Sequence, residues 1–392
     1  MAACGGALIL LVVTALVRLW LLRRRYAQIR HKLRKSSAKV VLGFFHPYCS
    51  GGGGGERVLW KMIQDIGGLC ERGFSVQIVI YTVDPPSPTY QEQLLQQIQE
   101  RFDLLISKQL QIQFVHLHAY AHYLQPAPRL SLLVESYGTM RLAMAALEST
   151  QSPLPDWFID TTGCAFAFLV ARLLYGCKIM AYVHYPTIST DMLQLVWERR
   201  RNAYNHSLAN SRILTYGKLL YYCFFAVLYG ITGSLAEIVF VNSQWTRAHI
   251  QYLWKWSHWK KRIRLLYPPC RVQQQTAVLQ RPRDNVILSI GQFRPEKDHP
   301  LQIESFHRLI QKYPEWRGRV QLVLIGSCRG PGDEERLSRL CDLVQQYQLS
   351  EKDVHFVVNQ PYSVLQQWLT RASVGIHTVR RKFYVPLLLF HV

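Results

Sequence analysis

Three short stretches of this chain carry residue types that can do chemistry. The first reads His46-Pro47-Tyr48-Cys49-Ser50, then five glycines from Gly51 to Gly55, then Glu56-Arg57-Val58-Leu59-Trp60. Glycine has no Cβ to hold a ligand away from the backbone, and a helix N-terminus adds N–H donors and a partial positive charge. Gly52, Gly53, Gly54 and Gly55 are therefore candidate ligand-cradling residues, suited to a phosphate. A flexible linker is the bland alternative; the apolar run before the loop and the helical pattern after it argue against that. The second stretch is Gly291-Gln292-Phe293-Arg294-Pro295-Glu296-Lys297-Asp298-His299-Pro300. Fixed cations such as Arg294 and Lys297 can neutralise a diphosphate leaving group without a metal, although Pro295 and Glu296 equally suit an ordinary first helical turn. The third is His184-Tyr185-Pro186-Thr187, which follows an apolar run. Open α/β sheets bind ligands at the carboxyl ends of their strands, which makes His184 a candidate catalytic residue; a lone histidine is also a common structural residue. Asp160, Thr161, Thr162 and Gly163 end the preceding run in the same way. Cys49 is a candidate nucleophile with no evident partner base.

These residues need strands and helices to hold them, and the pattern supplies both. Short apolar runs predict strands at Val40–Phe45, Val76–Tyr81, Ile112–Leu117, Trp157–Ile159, Ile179–Val183, Ile238–Val241 and Ile263–Leu266. After the glycine loop, Val58, Leu59, Met62, Ile63 and Ile66 recur at helical spacing. A second alternating series predicts strands at Val286–Ile290, Val320–Ile325, Val354–Val358 and Val374–His377, with helices at Leu301–Tyr313, Glu334–Tyr347 and Tyr362–Thr370. Alternation of this kind marks parallel sheets wrapped by helices. The expected division is a membrane anchor and basic segment over 1–38, a first domain over 39–270, a linker over 271–284, a second domain over 285–379 and an atypical tail over 380–392.

A chain of 392 residues has room for two cores. Its formal charge of +21 suits nucleic acid, an anionic membrane or a diphosphate. The basic residues are spread over several clusters, Arg199–Arg201 among them, and no nucleic-acid-binding signature occurs, so no nucleic-acid partner is expected. The nine cysteines show no metal-like spacing, which predicts reduced, mostly buried thiols and no metal. Ala7 to Leu22 is almost wholly apolar and runs directly into Arg23, Arg24 and Arg25. That order fits a single span with the remainder cytosolic, and not a cleaved signal, whose basic residues come first. Leu219 to Ile231 is apolar all round, either a buried core helix or a patch dipping into a bilayer.

The segments His46–Trp60, Tyr182–Met192, Val241–Trp245, Tyr267–Cys270 and Gly291–Leu301 together resemble the GDP-mannose-dependent α-1,2-mannosyltransferases of asparagine-linked glycosylation, within the family 4 glycosyltransferases of GT-B fold. The likeness runs from Val40 to Thr378. It implies an α/β architecture of two Rossmann-like domains facing a cleft, with an N-terminal transmembrane helix. It also implies retaining, metal-independent transfer from GDP-mannose, without a cofactor. The acceptor would be a dolichol-diphosphate-linked oligosaccharide, which gains its fourth and fifth mannoses on the cytosolic face of the endoplasmic reticulum membrane. Other mannosyltransferases of the pathway are further implied partners. In such enzymes the glycine loop and the residue matching His184 line the acceptor and sugar side, while the residues matching Lys297 and Arg294 hold the GDP diphosphate. The family's arginine usually follows directly after the glycine of the second junction; here Gln292 stands there and Arg294 comes two residues later.

The family also carries a pair of donor-gripping glutamates beyond a strand like Val374–Thr378. This chain reads Arg380-Arg381-Lys382-Phe383-Tyr384-Val385-Pro386 there, and no glutamate follows Glu351. The expectation is a second domain that is incomplete, with a four-stranded sheet whose bare edge beside Val385–Phe390 invites misassembly. Turnover by this chain would be impaired. The alternative reading is a catalytically inactive, membrane-anchored partner of related transferases. A dinucleotide-dependent oxidoreductase, with Asp84 as the ribose ligand, fits less well, because Asp84 lies about thirty residues past the loop where about twenty are wanted.

Overall fold

The computed structural model describes residues 21, 24, 39–125, 127, 130–197, 212–270, 282–328, 330–378 and 388–391. The expected N-terminal span (Leu21 apart), the cluster Arg199–Arg201, residues 271–281 of the expected linker and residues 379–387 of the tail lie outside them. Two compact units meet in sequence at Pro269 and Cys270.

The first unit runs β1 (Val40–Phe45), α1 (Gly54–Glu71), β2 (Val76–Thr82), α2 (Tyr90–Phe102), β3 (Gln111–His116), α3 (Ser131–Glu148), β4 (Trp157–Asp160), β5 (Lys178–Val183), α4 (Thr190–Trp197), α5 (Arg212–Gly233), β6 (Ile238–Val241), α6 (Gln244–Leu253), α7 (Lys255–Trp259) and β7 (Ile263–Leu265). Its seven strands are all parallel, in the order β3-β2-β1-β4-β5-β6-β7. Central strands covered on both faces need apolar residues at nearly every position. Accordingly Phe44, Ile80, Phe158 and Ile179 are fully buried. Helix α1 turns Val58, Leu59, Trp60 and Ile63 to the core. The strand order reverses between β1 and β4, and the crevice above their carboxyl ends is where such a sheet binds ligands.

Helix α5 is apolar on two sides. Its inner face is core: Phe225 and Tyr229 are fully buried, and the Tyr229 ring sits 5.4 Å from that of Trp254. A Cβ at Gly233 would overlap the Trp254 ring, so the helix end packs directly on it. Its outer face presents Ile213, Tyr216, Leu220, Phe224, Val227 and Ile231, each more than half exposed, at steps of three or four. The segment Leu219–Ile231 is thus core on one side only.

The second unit runs β8 (Asp284–Ile290), α8 (His299–Lys312), β9 (Gln321–Gly326), α9 (Pro331–Gln346), β10 (Val354–Val358), α10 (Tyr362–Arg371), β11 (Ala372–His377) and β12 (Leu388–His391). Its sheet has the order β10-β9-β8-β11-β12. The expected four-stranded sheet with a bare edge is therefore wrong. Among the described residues there are five strands, and the edge of β11 is covered by β12, which pairs antiparallel from Val374↔His391 to His377↔Leu388. The apolar end of the chain satisfies the edge and does not expose it, because an antiparallel partner needs only a short reversing connection and no crossover helix. The thiols also depart from expectation: among the described residues all eight cysteines are free, as expected, but only Cys49 and Cys177 are buried.

Candidate active site

The glycine loop lies between β1 and α1. Gly52 has φ +67°, a left-handed conformation that favours glycine. A Cβ at Gly51 would stand 2.8 Å from Glu56 Oε1, so a larger residue there would displace the Glu56 carboxylate. Gly54 and Gly55 are different. A Cβ at Gly54 would meet nothing within 4 Å, and one at Gly55 would make ordinary contacts with His184 Nε2 at 3.6 Å and His46 Cε1 at 4.0 Å. The fold does not require glycine at either position, and there is open space beside Gly54. Glu56, in the first turn of α1, reaches back to accept a hydrogen bond from Gly53 N–H at 2.5 Å.

The far end of the loop is tied to Asp84. Its Oδ2 accepts hydrogen bonds from Ser50 N–H at 3.1 Å and from the Tyr90 hydroxyl at 2.8 Å, and the Cys49 thiol lies 3.5 Å away. Asp84 is thereby a buried structural anchor, which removes the ribose-ligand role considered for it. Burial pushes the Cys49 thiol up to about 12, with the Asp84 charge adding to the effect. A thiol held neutral in this way is not a nucleophile at neutral pH, and that candidate role is withdrawn.

Three strand ends converge on the loop. His46 follows β1, Thr161 follows β4 and His184 follows β5. His46 Nδ1 is hydrogen-bonded with Thr161 Oγ1 at 2.6 Å, and its Nε2 lies 3.6 Å from Glu56 Oε1. Burial pushes the Glu56 carboxyl up, but the His46 imidazole and backbone N–H groups, including that of Gly53, outweigh it and hold the group at about 2. Glu56 is an anion at any physiological pH. His184 Nε2 is buried and has no hydrogen-bond partner. Burial pushes this imidazole below its ordinary value and the neighbouring His46 pushes the same way, with Glu56 opposing. A neutral ring with an unused nitrogen facing a glycine loop can exchange a hydrogen bond with a sugar hydroxyl. Asp160, also at the end of β4, is fully buried and spends its oxygens locally, on Thr162 N–H at 3.0 Å, Thr162 Oγ1 at 2.8 Å and Gly163 N–H at 2.9 Å. Sequence reasoning singled out His184 and the glycines as candidates and gave no role to His46 and Glu56, which the fold places beside them. The available signal was positional, since His46 ends β1 just as His184 ends β5.

In the second unit, β8 leads through Gly291 into a short 3-10 turn, Pro295–Lys297, and then α8. A Cβ at Gly291 would stand 3.2 Å from Lys297 Cδ, so the lysine stem folds back over this glycine. A Cβ at Gly326 would collide with Gly291 O at 2.0 Å, which fixes a glycine at the end of β9 as well. The turn is braced from β11: the Thr378 hydroxyl donates to Lys297 O at 2.8 Å and accepts from Gln302 Nε2 at 2.6 Å. His299 is buried beneath the turn. Burial first, then the charges of Lys297, Arg336 and His377, push it down to about 4. Arg294 points elsewhere; it is exposed and lines a groove with Pro300, Arg336 and Arg339 along α9. Thr378, Gln302 and His299 carried no sequence signal, because their roles come from tertiary contacts across the sheet.

Residues 39–254 match the family model described as ALG11 mannosyltransferase N-terminus, and residues 273–382 match the one described as glycosyl transferases group 1. The chain belongs to the ALG11 mannosyltransferase family. It is 39% identical over 385 residues to the GDP-Man:Man(3)GlcNAc(2)-PP-Dol alpha-1,2-mannosyltransferase of Xenopus tropicalis, a match that covers 96% of this chain and 75% of the relative. The human protein of the same name is 35% identical over the same shares. Among solved structures, trehalose-6-phosphate synthases share the fold. The Escherichia coli structure bound with UDP-2-fluoro glucose has a TM-score of 0.53 at 11% identity, covering 86% of this chain and 77% of that one. The Burkholderia multivorans synthase gives 0.51 at 13% identity over the same shares. The fold is of GT-B type, and this member of the ALG11 family is a glycosyltransferase.

Proposed function

We propose that this chain transfers mannose from GDP-mannose, in α-1,2 linkage, to a dolichol-diphosphate-linked oligosaccharide, adding its fourth and fifth mannoses on the cytosolic face of the endoplasmic reticulum membrane. Relatives named for that reaction support the substrate pair. The observation in this chain that carries the reading is the buried, unpartnered His184 Nε2, 3.6 Å from where a Cβ on Gly55 would stand, in a loop whose neighbouring Gly54 has open space beside it. Sugar recognition needs such a group: a preformed polar atom whose own partner is supplied by the ligand.

His184 takes a hydroxyl of the transferring or accepting mannose, and the glycine loop lets the sugar approach the backbone. Glu56 holds the loop through Gly53 N–H and faces His46, which is itself tied to Thr161. Lys297 stabilises the charge that grows on departing GDP, a role a fixed ammonium can fill without a metal. Arg294, at the exposed groove, is a weaker claimant for the same diphosphate. The outer face of α5 rests on the bilayer that carries the lipid acceptor, with Tyr216 at headgroup level. No observation favours an inactive, partner-only role. Residues 379–387, where the donor-gripping carboxylates of the family would fall, hold neither Asp nor Glu in this sequence, so turnover below that of the relatives is expected. The test is to supply detergent-purified chain with GDP-mannose and lipid-linked trimannosyl acceptor. Extension by two α-1,2-mannoses supports the reading; absence of any extended product refutes it.

A further inference from the structure

The Val241–Trp245 segment, singled out in the sequence, has no part in the chemistry above, and neither does Tyr185. The fold brings them together. Tyr185 is the residue directly after His184 and is 57% exposed. Its ring stacks on that of Trp245, with centroids 5.0 Å apart and an interplanar angle of 24°. The Trp245 ring in turn lies 4.0 Å from the His249 ring. His249 is pinned at both nitrogens, Nδ1 to Trp245 O at 2.9 Å and Nε2 to Asp191 Oδ1 at 3.3 Å. The Thr246 hydroxyl donates to Asn242 Oδ1 at 2.7 Å and lies 3.3 Å from His184 O, which couples the start of α6 to the His184 backbone.

An exposed tyrosine by itself needs no explanation. Here, however, the ring stacks on Trp245, whose own ring packs at a 34° tilt against a His249 locked by a carboxylate and a carbonyl. The stack is rigid, lies at the carboxyl ends of β5 and β6, and starts one residue from the buried His184. Polar side chains back it, Asp191 on His249 and Asn242 on Thr246. Rigid aromatic faces with few rotatable bonds bind at low entropic cost. A pyranose ring is their natural complement: one face of C–H bonds lies flat on the aromatic ring while its hydroxyls stay in water.

We propose that Tyr185, backed by Trp245 and His249, is a stacking platform for a mannose ring of the acceptor oligosaccharide, next to the residue acted on at His184. The proposal rests on the mannosyltransferase reading given above and adds an acceptor subsite to it. The competing occupant of an aromatic surface, the polyisoprenyl chain, is an outcome of the test.

The experiment measures binding of the water-soluble trimannosyl-chitobiose pentasaccharide to the full chain in detergent by saturation-transfer NMR, for the parent, Tyr185→Ala, Tyr185→Phe and Trp245→Phe. The ring is the recognising group, so Tyr185→Phe should bind within about twofold of the parent, whereas Tyr185→Ala should lose about tenfold. GDP-mannose binding should be unchanged in both, which also reports intact folding. Trp245→Phe keeps a ring behind Tyr185 and should lose less than Tyr185→Ala. A Tyr185→Ala chain that binds the pentasaccharide as the parent does overturns the platform, as does a parent that does not bind it. Loss of binding to dolichol-containing liposomes with the pentasaccharide affinity intact assigns the surface to lipid and overturns it too. A parent that binds the sugar through Tyr185 yet makes no product would leave the platform standing and sink the transfer reading.

Discussion

Glu56→Gln isolates the charge at the centre of the first site. The amide keeps the shape of the carboxylate and an acceptor for Gly53 N–H, and loses only the anion that faces His46. The carboxyl sits at about 2 in place of 4.5, which corresponds to about 3 kcal/mol of stability at neutral pH, since one pKa unit is worth about 1.4 kcal/mol. The side chain is 14% exposed, so solvent screens little of this. Because the folded-state value is depressed, the native state binds fewer protons than the unfolded chain between these two limits. The stabilisation is whole above the unfolded value and is lost as acid lowers the pH toward the folded one. About 1 kcal/mol should be gone at pH 4 and about 2 kcal/mol at pH 3. Urea unfolding of parent and Glu56→Gln, followed by tryptophan fluorescence across this range, reads the gap directly. The gap should be about 2–3 kcal/mol at pH 7 and should close as the pH falls. A gap under about 0.5 kcal/mol at pH 7, or one that does not shrink in acid, would show that Glu56 holds nothing together through its charge.

Gly55→Ala should fold as well as the parent, because its Cβ meets only ordinary contacts, yet turnover should fall about tenfold or more as the methyl covers His184 Nε2; unchanged turnover with unchanged melting would remove the sugar from that space. Lys297→Ala should lower turnover about a hundredfold, the usual cost of taking one charge-stabilising group away from a transition state, with little effect on unfolding; steady-state kinetics within twofold of the parent would exclude it from the mechanism. His299 has a depressed folded-state value of about 4, so the unfolded chain takes up its proton first and stability should fall as the pH drops below about 6.5. Relative to His299→Asn, the parent should lose about 2 kcal/mol between pH 8 and pH 5 in parallel denaturation curves, and equal losses in both proteins would contradict this.

Much of the fold is legible in the residue pattern because its strands are central and parallel. A strand buried on both faces, such as Val40–Phe45 or Val354–Val358, must be apolar throughout, and the intervening helices must be amphipathic, so the alternation is written in hydrophobicity alone. Where pairing depends on the partner, the pattern is silent. Leu388–His391 reads as a stray apolar tail until β11 is beside it. Among the site residues, His184 and the glycines stand out by type and position. Glu56 looks like any acidic first-turn residue, and only its links back to Gly53 and His46 distinguish it. Asp84 passes for a ribose ligand by type, and its neighbours Ser50 and Tyr90 assign it to the loop instead. Leu219–Ile231 is ambiguous in sequence because both of its faces are apolar, for two unrelated reasons.

That last helix has a geometric consequence. Its inner residue Tyr229 brings its hydroxyl within 3.5 Å of Thr187 N–H, three residues beyond His184, and its end is wedged on Trp254. If the opposite face of the same helix lies in the headgroup layer, as proposed above, this helix would set the altitude of His184 above the bilayer. A glycan rooted in the membrane by its diphosphate would then be measured from its root, and the linkage made would depend on which sugar stands at that altitude.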